Sequence, residues 1–480
     1  MPPLEVEYGA LVDKSRLARA AGCIAALAGV VLWLRSPYAP SWIPRLSPAH
    51  EGIAADPSLP SDEPVGEIEI GATENASDRS LPTQRVVHEP EPVSAKGSFL
   101  ERPQALDGFY RALAARIRGE AVKVRITHYG DSLLTSDFLS GTARRALQDR
   151  FGEGGHGFVA IANPWEWYFH NDVSHVAGTG WRHSRVTGPL TKDGGYGPGG
   201  VVFRGSAGAV AYFGTAKDGD YGRKVTEFQV LYSARPGGGS FELKTAGETR
   251  LIDTDAEVEE PRLVTMRVAD AEAKLTLRVL RGETKLFGVA LERDEGIVYD
   301  AMGVLGARAK MWNQLADAHW RAVYALRPPT LVAIQFGTNE VESGGVEAAE
   351  YSDMLGALIR KWRTAAPDAS FVLVAPPDLA ERLPKGAGFR SSRLLAKVVE
   401  LQRAAAEREG IAFFDTVGAM GGDGAMPKWL MAHPPLCSTD LIHPTAAGAD
   451  ALGKLFVRGL TGGYVGWQKS HKNEPELPEI

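Results

Sequence analysis

Residues 122–132, VKVRITHYGDS, join a short apolar-rich run to an abrupt turn. Such a run is typical of a β-strand that is buried in a parallel sheet. The turn consists of Gly130, Asp131 and Ser132. Upstream of the strand, apolar residues recur at helical spacing, namely Leu106, Phe109, Tyr110, Leu113 and Ile117. The stretch therefore predicts a helix, a strand and a tight turn, in that order.

Three later stretches of the chain are continuous apolar runs of the same kind. They are 331–336 (LVAIQF), 371–375 (FVLVA) and 411–414 (IAFF). Helical patterns that begin near Trp312 and Leu394 separate them, and a last one covers 446–460. Strands that alternate with helices predict a doubly wound α/β fold, in which ligands bind beyond the carboxyl ends of the strands.

One interval of the chain does not fit this alternation. The predicted helix near 139–151 and the next predicted strand at 297–300 are separated by far more residues than a connection in an α/β fold contains. Within the interval, glycines and polar residues separate short runs that alternate apolar and polar side chains. We therefore predict an inserted β-sandwich over residues 161–296.

Composition limits the possible functions. The chain has 480 residues, with 53 basic and 59 acidic side chains and a formal net charge of −6. Without an overall positive field, nucleic acid is not expected as a partner. Cys23 and Cys437 are the only cysteines, so the sequence excludes a disulfide framework, and it shows no close Cys/His spacing of a structural zinc site.

The two ends of the chain differ from its middle. Residues 20–34, AAGCIAALAGVVLWL, carry no charge and are flanked by Arg19 and Arg35. This predicts a transmembrane anchor over 20–35, with a signal peptide as the alternative, after a short cytoplasmic segment at 1–19. Proline and acidic residues predict a disordered linker over 36–96, and the polar end predicts a flexible tail over 461–480.

Polar motifs follow the predicted strands. Gly130-Asp131-Ser132-Leu133 places a hydroxyl on a strand-to-helix turn, and Gly337-Thr338-Asn339-Glu340 supplies an amide that can donate to an oxyanion. Gly303 and Gly306 follow another short strand, where a backbone N–H is accessible. In Asp440-Leu441-Ile442-His443 a carboxylate can orient an imidazole within one loop. A serine, a histidine and an aspartate together predict nucleophilic catalysis.

These residues resemble the SGNH or GDSL hydrolases over about 97–160 and 297–460. The resemblance implies a flavodoxin-like three-layer α/β/α domain that needs no metal or organic cofactor. It also implies a catalytic triad of Ser132, Asp440 and His443, and an oxyanion hole built by Ser132, Gly306 and Asn339. Asp131 is expected to support the turn. At position 340 the family often has Asp, where this chain has Glu.

Longer strings resemble bacterial peptidoglycan O-acetylesterases. They are 128–132 (HYGDS), 152–158 (GEGGHGF) and 335–340 (QFGTNE), together with the β-rich insertion. The resemblance implies a serine esterase that removes O-acetyl groups from an envelope glycan through an acyl-serine, outside the inner membrane. An O-acetyltransferase that uses the same intermediate is one alternative, and a polysaccharide-binding protein with a degenerate hydrolase domain is another. Trp165 and Trp167 are possible substrate contacts, since aromatic rings stack on sugars.

Overall fold

The first elements of the fold surround the turn at Ser132. The computed structural model describes residues 99–478. Up to residue 160 its elements are β1 (Leu100–Glu101), α1 (Asp107–Ile117), β2 (Lys123–Gly130), α2 (Phe138–Phe151) and β3 (Gly157–Ala160). The predicted cytoplasmic segment 1–19, anchor 20–35 and linker 36–96 lie outside the described residues. Within 99–478, no helix has both the length and the apolar character needed to cross a membrane.

The middle of the chain is built of strands. They are β4 (Val173–Ala177), β5 (Trp181–Arg185), β6 (Val201–Ser206), β7 (Val210–Thr215), β8 (Val225–Ala234), β9 (Ser240–Lys244), β10 (Thr249–Asp253), β11 (Glu260–Ala271), β12 (Lys274–Arg281) and β13 (Glu283–Glu292).

The last part of the chain alternates strands and helices. The strands are β14 (Gly296–Gly303), β15 (Leu331–Gln335), β16 (Ser370–Val374), β17 (Ala380–Arg382), β18 (Phe389–Ser391) and β19 (Ala412–Phe414). The helices are α3 (Asp317–Leu326), α4 (Thr338–Glu342), α5 (Ala348–Ala365), α6 (Arg393–Arg408), α7 (Thr416–Met420), α8 (Ala425–Leu430) and α9 (Ala446–Ser470).

A six-stranded sheet carries the candidate site. Its order is β1-β19-β16-β15-β2-β14, and all neighbours are parallel except β1, which is antiparallel to β19. Counted along the chain, the five parallel strands lie in the order 2-1-3-4-5, which is the flavodoxin-like order. The predicted doubly wound α/β fold is confirmed. The chain reverses its winding between β2 and β15, so the expected ligand site lies where these two strands end.

Strand β15 shows why helices cover both faces of this sheet. Its residues are all buried, and successive side chains point to opposite faces. Val332 and Ile334 pack in one core with helices α3, α5 and α6, whereas Leu331 and Ala333 pack in a second core with α1, α2 and α9. The structure is therefore a three-layer sandwich, and the rigid sheet fixes the positions of the loops at its edge.

Two antiparallel sheets form the predicted β-sandwich. One has the order β10-β9-β12-β7-β4, and the other has the order β11-β8-β13-β6-β5 with β3 paired to β13. Phe213 and Leu277 of the first sheet share a buried core with Val230 and Val289 of the second. Because β3 belongs to the second sheet, the β-rich region begins at Gly157, four residues before the predicted start at 161.

A buried ion-pair cluster joins β13 to the central sheet. The Glu292 carboxylate accepts hydrogen bonds from Arg125 at 2.8 and 2.9 Å and from Lys123 at 2.7 Å, and it also pairs with Arg327. Burial opposes ionisation of Glu292, but these cations outweigh it and hold its pKa below the usual range. Since Lys123 and Arg125 lie on β2, the cluster fixes the strand that leads to Ser132.

The chain end differs from the prediction. The flexible tail expected over 461–480 is wrong as far as Ser470, because α9 continues to that residue. Tyr464 and Trp467 are buried, with ring centroids 5.8 and 5.9 Å from that of Tyr110. A Cβ at Gly463 would lie 2.2 Å from the Tyr110 hydroxyl, so a glycine there permits close packing. Gly463 thus serves a helix interface within the stretch that was predicted to be a flexible tail.

Candidate active site

The turn after β2 presents the Ser132 hydroxyl at the carboxyl edge of the sheet. Asp131 is fully buried, and its Oδ1 accepts a hydrogen bond from the Leu133 amide at 3.1 Å. This bond caps the short 3-10 turn Ser132–Leu134. The Thr135 hydroxyl donates to the Ser132 carbonyl at 2.8 Å and closes the turn. These local bonds leave the Ser132 side chain half-buried and facing the loop before α9.

His443 and Asp440 complete a hydrogen-bonded chain with Ser132. The Ser132 Oγ lies 3.1 Å from His443 Nε2, and His443 Nδ1 lies 2.8 Å from Asp440 Oδ2. Ser132 and His443 are 311 positions apart in the sequence. The structure thus brings the three predicted triad residues together in the order that nucleophilic catalysis requires.

The loop around Asp440 is held in one conformation by its own backbone. Asp440 Oδ1 accepts hydrogen bonds from the amides of Ile442 at 2.9 Å and His443 at 3.0 Å. Leu441 has a φ of 65°, a left-handed conformation that is unusual for leucine, and its side chain is buried. Burial raises the pKa of Asp440, but the two amides together with the His443 side chain outweigh it and lower the pKa below the usual value. Asp440 therefore stays ionised and holds a proton on His443 Nδ1.

Of the three donors predicted to bind an oxyanion, two are backbone amides that are free within the described residues, whereas the third, the Asn339 side-chain amide, already has both of its N–H groups engaged. The Asn339 side-chain amide donates to the Ala307 carbonyl at 3.0 Å and approaches Asp131 Oδ2 at 3.4 Å, so it links the two loops. Within residues 99–478, the backbone amides of Ser132 and Gly306 have no hydrogen-bond acceptor. Unpaired amides beside a nucleophile are suited to bind developing negative charge.

The structure separates the roles of two glycines, one that ends β14 and one that follows it. A Cβ at Gly303 would lie 2.6 Å from the backbone of Leu134, so Gly303 lets β14 pack against the nucleophile turn. Gly306 has a φ of 72°, and a Cβ there would contact nothing within 4 Å. Gly306 therefore borders open space, which agrees with its predicted place in the oxyanion hole.

Glu340 has a role that its sequence motif did not indicate. Its side chain is 4% exposed, and Oε1 accepts a hydrogen bond from the Ala309 amide at 2.9 Å. This bond ties the loop that contains Gly306 to the helix that contains Asn339. Burial raises the pKa of the Glu340 carboxyl. The signal in the sequence was the departure from Asp at this position, because the longer side chain spans the distance to the loop.

Replacing Asn339 with alanine should reduce turnover by about two to three orders of magnitude with little change in KM, because one oxyanion donor is lost in the transition state. Steady-state kinetics on an acetyl ester measure this. Asn313→Ala is a matched control, since it removes an amide-to-carbonyl hydrogen bond, to Met354, outside the site. Normal turnover in Asn339→Ala would remove Asn339 from the oxyanion hole.

Replacing Asp131 with asparagine should change how stability depends on pH. Burial, reinforced by the nearby Glu340, raises the pKa of Asp131 to about 7 from 3.8. The folded protein therefore holds this proton more tightly than the unfolded chain does, and the native side chain loses stability as pH rises from about 4 to about 7. The variant should gain about 2 to 3 kcal/mol in free energy of unfolding, relative to the native protein, between pH 5 and pH 8.

Denaturant unfolding of both proteins across this pH range measures the difference. Asp353→Asn, at an exposed position of α5, controls for the loss of a surface carboxylate. A constant difference between Asp131→Asn and native protein from pH 5 to pH 8 would contradict the raised pKa.

The two tryptophans predicted to contact substrate have different surroundings. Trp165 is 8% exposed, and its ring packs edge-on against Tyr168 with centroids 5.4 Å apart. The Tyr168 hydroxyl accepts a hydrogen bond from the Ala160 amide at 2.8 Å, which turns this part of the loop inward. Trp165 is therefore packed in the core, whereas Trp167 is 55% exposed and available to a ligand, and substrate contact by either residue stays a prediction.

A separate cluster near the start of α2 brings together Asp137, His156 and His170, whose possible metal-ligating atoms lie within 4.8 Å of one another. His156 Nε2 and His170 Nδ1 are hydrogen-bonded at 3.0 Å. Both oxygens of Asp137 already accept hydrogen bonds from Arg144, at 3.1 and 2.9 Å. Because the guanidinium occupies the carboxylate and repels a second cation, this donor set does not fit a metal ion.

Comparisons with known proteins agree with this geometry. Residues 276–451 match the family described as "GDSL-like Lipase/Acylhydrolase family". Gly306, Asn339, Asp440 and His443 lie inside the match, and Ser132 precedes it. No curated protein matches the chain.

Solved structures resemble the chain at low sequence identity. One, described as "Peptidoglycan O-acetylesterase in action, 5 min", has a TM-score of 0.64 and 21% identity, over 76% of this chain and 99% of its own. A family two carbohydrate esterase from Cellvibrio japonicus has a TM-score of 0.25 and 10% identity, over 61% of this chain and 98% of its own. The first likeness shows a shared fold.

Proposed function

We propose that this chain, in which residues 276–451 match the GDSL-like lipase/acylhydrolase family, is a carboxylic ester hydrolase that removes O-acetyl groups from a cell-envelope glycan such as peptidoglycan. The observation that carries the chemistry is the hydrogen-bonded chain from Ser132 through His443 to Asp440. The predicted anchor, linker and β-sandwich, together with the fold shared with a peptidoglycan O-acetylesterase, support an envelope polymer as the substrate.

The first half-reaction forms an acyl-serine. His443 Nε2 accepts the Ser132 proton as Oγ attacks the ester carbonyl, and the carbonyl electron pair moves to oxygen. The backbone amides of Ser132 and Gly306 bind that oxyanion, and Asn339 joins them when it exchanges its long 3.4 Å bond to Asp131 for one to the oxyanion. When the tetrahedral intermediate collapses, the C–O bond to the sugar breaks and His443 returns the proton to the leaving sugar hydroxyl. Asp440 stabilises the imidazolium that exists between these two transfers.

Water is the proposed acceptor in the second half-reaction. The side chains of His443 and Asp440 are 43% and 45% exposed, so solvent reaches the base directly. His443 takes a proton from water, the hydroxide oxygen attacks the acyl carbon, and the proton then passes to Ser132 Oγ as acetate leaves. This exposure favours hydrolysis over transfer to a second sugar, which would require water to be excluded from the site.

The test is acetate release from purified O-acetylated peptidoglycan by the purified full-length protein. We expect release in proportion to enzyme, and none from peptidoglycan that was first deacetylated with mild base. Adding an acceptor glycan should leave the acetate yield unchanged. Acetyl groups that appear on the acceptor instead would indicate a transferase. An absence of both products, together with cleavage of small acetyl esters, would overturn the proposed substrate.

We also propose that residues 20–35 anchor the protein in the inner membrane and place the hydrolase domain on the periplasmic side. The basic residues on the amino-terminal side of this segment support that orientation. A carboxyl-terminal alkaline phosphatase fusion should be active in intact cells, because that enzyme requires an oxidising compartment. An inactive but stably produced fusion would contradict the orientation.

A further inference from the structure

Three aromatic side chains near the nucleophile turn are exposed to solvent. Phe138, Trp167 and Phe169 are 38%, 55% and 42% exposed, and the rings of Phe138 and Phe169 lie with centroids 6.2 Å apart. Large aromatic rings are rarely left in water as a group, and such groups mark binding surfaces. We call these three residues the aromatic platform.

Phe138, the platform residue that packs against Phe169, lies close to Ser132 along the chain. Phe138 is six residues after Ser132, which places the two within about 20 Å even if the connection were fully extended. The connection is shorter than this limit, because the Thr135 hydroxyl donates back to the Ser132 carbonyl and curls it. A polymer whose ester group reaches Ser132 can therefore contact the platform through neighbouring units.

Buried polar contacts that the triad does not use hold the platform in place. Asn171 donates its backbone amide to Asp137 Oδ2 at 2.9 Å and its side-chain amide to the Asp137 carbonyl at 2.8 Å. Asp137 is fully buried, has a φ of 45° and is paired with the equally buried Arg144. These bonds fix the segment that carries Phe169 against the residue that precedes Phe138.

The aromatic residues of the loop before Asn171 are divided between core and solvent. Trp165 and Tyr168 point inward and pack against each other, whereas Trp167 and Phe169 point outward. The inward residues are further held by the bond between the Tyr168 hydroxyl and the Ala160 amide. Buried contacts therefore hold the loop in the conformation that exposes the two outward rings. Because the protein is already ordered, stacking of a ligand on these rings costs little conformational entropy of the protein.

The surroundings of the platform favour a flat, largely uncharged ligand. Asp172, which follows the loop, is neutralised by Arg145 at 2.6 Å and by Arg144 at 2.9 Å. The rings themselves provide apolar faces, and the exposed Glu166 that precedes Trp167 adds a carboxylate that would repel an anionic ligand. Pyranose rings present such apolar C–H faces, and their hydroxyls remain in water at the rim of an exposed platform.

We propose that Phe138, Trp167 and Phe169 bind sugar rings of the substrate glycan and hold its chain while an acetyl group reaches Ser132. This proposal rests on the proposed function and deepens it, because it makes the polymer, and not the ester alone, the recognised substrate. Loss of the platform should therefore affect the polymer far more than a small ester that contacts only Ser132 and the oxyanion donors.

The first experiment compares two substrates in the full-length protein. In the variant Trp167→Ala/Phe169→Ala, the ratio of kcat/KM on O-acetylated peptidoglycan to kcat/KM on 4-nitrophenyl acetate should fall about tenfold. The single variant Trp167→Tyr keeps an aromatic face, so its ratio should stay close to that of the native protein. Tyr212→Ala is the matched control, since Tyr212 is an aromatic residue that is 45% exposed on β7 of the β-sandwich. An unchanged ratio in the double variant would overturn the proposal.

The second experiment measures binding without catalysis and separates the two proposals. Ser132→Ala protein should sediment with insoluble peptidoglycan. The triple variant, which combines Ser132→Ala with Trp167→Ala and Phe169→Ala, should lose most of this sedimentation. If the native protein releases no acetate but sediments through the platform, the proposed esterase function fails and the platform stands. If sedimentation is independent of the two rings, or if the rings bind phospholipid vesicles and not peptidoglycan, the platform proposal is wrong.

Discussion

Replacing Ser132 with alanine is expected to reduce acetyl ester turnover by about 10⁴-fold or more, which is the largest effect of any change considered for this protein. The Ser132 Oγ is the atom that His443 Nε2 faces at 3.1 Å, and its removal leaves the base with no nucleophile to activate. What remains is the weak stabilisation that the oxyanion donors give to direct attack by water. Initial rates on 4-nitrophenyl acetate and acetate release from the polymer both measure the loss.

A covalent probe identifies the same residue independently of substrate. An organophosphonate that reacts with activated serines should label the native protein once and should not label Ser132→Ala. Ser136→Ala is the matched control, because Ser136 lies on the same connection to α2 and, within residues 99–478, it is Ser132 and not Ser136 that is hydrogen-bonded to His443. Both variants should have the same unfolding temperature as the native protein. Labelling of folded Ser132→Ala, or activity within tenfold of native, would show that another residue is the nucleophile.

The site could be predicted from the sequence because of how parallel sheets are built. All parallel strands of one sheet end at the same edge, so motifs that directly follow predicted strands converge there. Ser132 follows β2 and Asn339 follows β15, and these strands are neighbours in the sheet. The alternation of strands and helices was therefore enough to predict that Ser132 and Asn339 lie at the same edge of the sheet, without knowledge of any distance between them.

The strand order and the side-chain orientations in loops could not be predicted in this way. The apolar runs at β2, β15 and β16 are interchangeable in character, so only the family resemblance supplied the 2-1-3-4-5 order. In the loop after β3, Trp165 and Trp167 are equally apolar. The inward position of Trp165 depends on tertiary contacts of Tyr168 and on the bonds between Asn171 and Asp137, which leave no local pattern.

The predicted end of the last helix is ten residues too early, although the apolar pattern that continues the helix is present in the sequence. Phe456, Leu460, Tyr464 and Trp467 recur at helical spacing and are all buried, so one stripe runs across the predicted boundary at 461. The polar composition of this stretch suggested an end, and its several glycines do have low helix propensity. Tertiary packing against Tyr110 outweighs that propensity, because the apolar face of α9 contributes more than the glycines cost.

Replacing Asp440 with asparagine is expected to reduce turnover by about 10³- to 10⁴-fold while the fold is kept. Oδ1 of residue 440 must remain an acceptor, since it receives the amides of Ile442 and His443. The new side-chain nitrogen therefore faces His443 Nδ1 and donates to it. The ring must then carry its own proton on Nε2, which turns a donor toward Ser132 and removes the base.

The structure allows this tautomer effect to be separated from a loss of loop support. Asp440→Ala removes both the contact to His443 and the acceptor for the two backbone amides, so it should lower the unfolding temperature as well as turnover. Asp440→Asn should lower turnover alone, and Asp423→Asn, at an exposed position before α8, should lower neither. Activity of Asp440→Asn within tenfold of native would mean that Asp440 positions the loop but does not set the proton on His443.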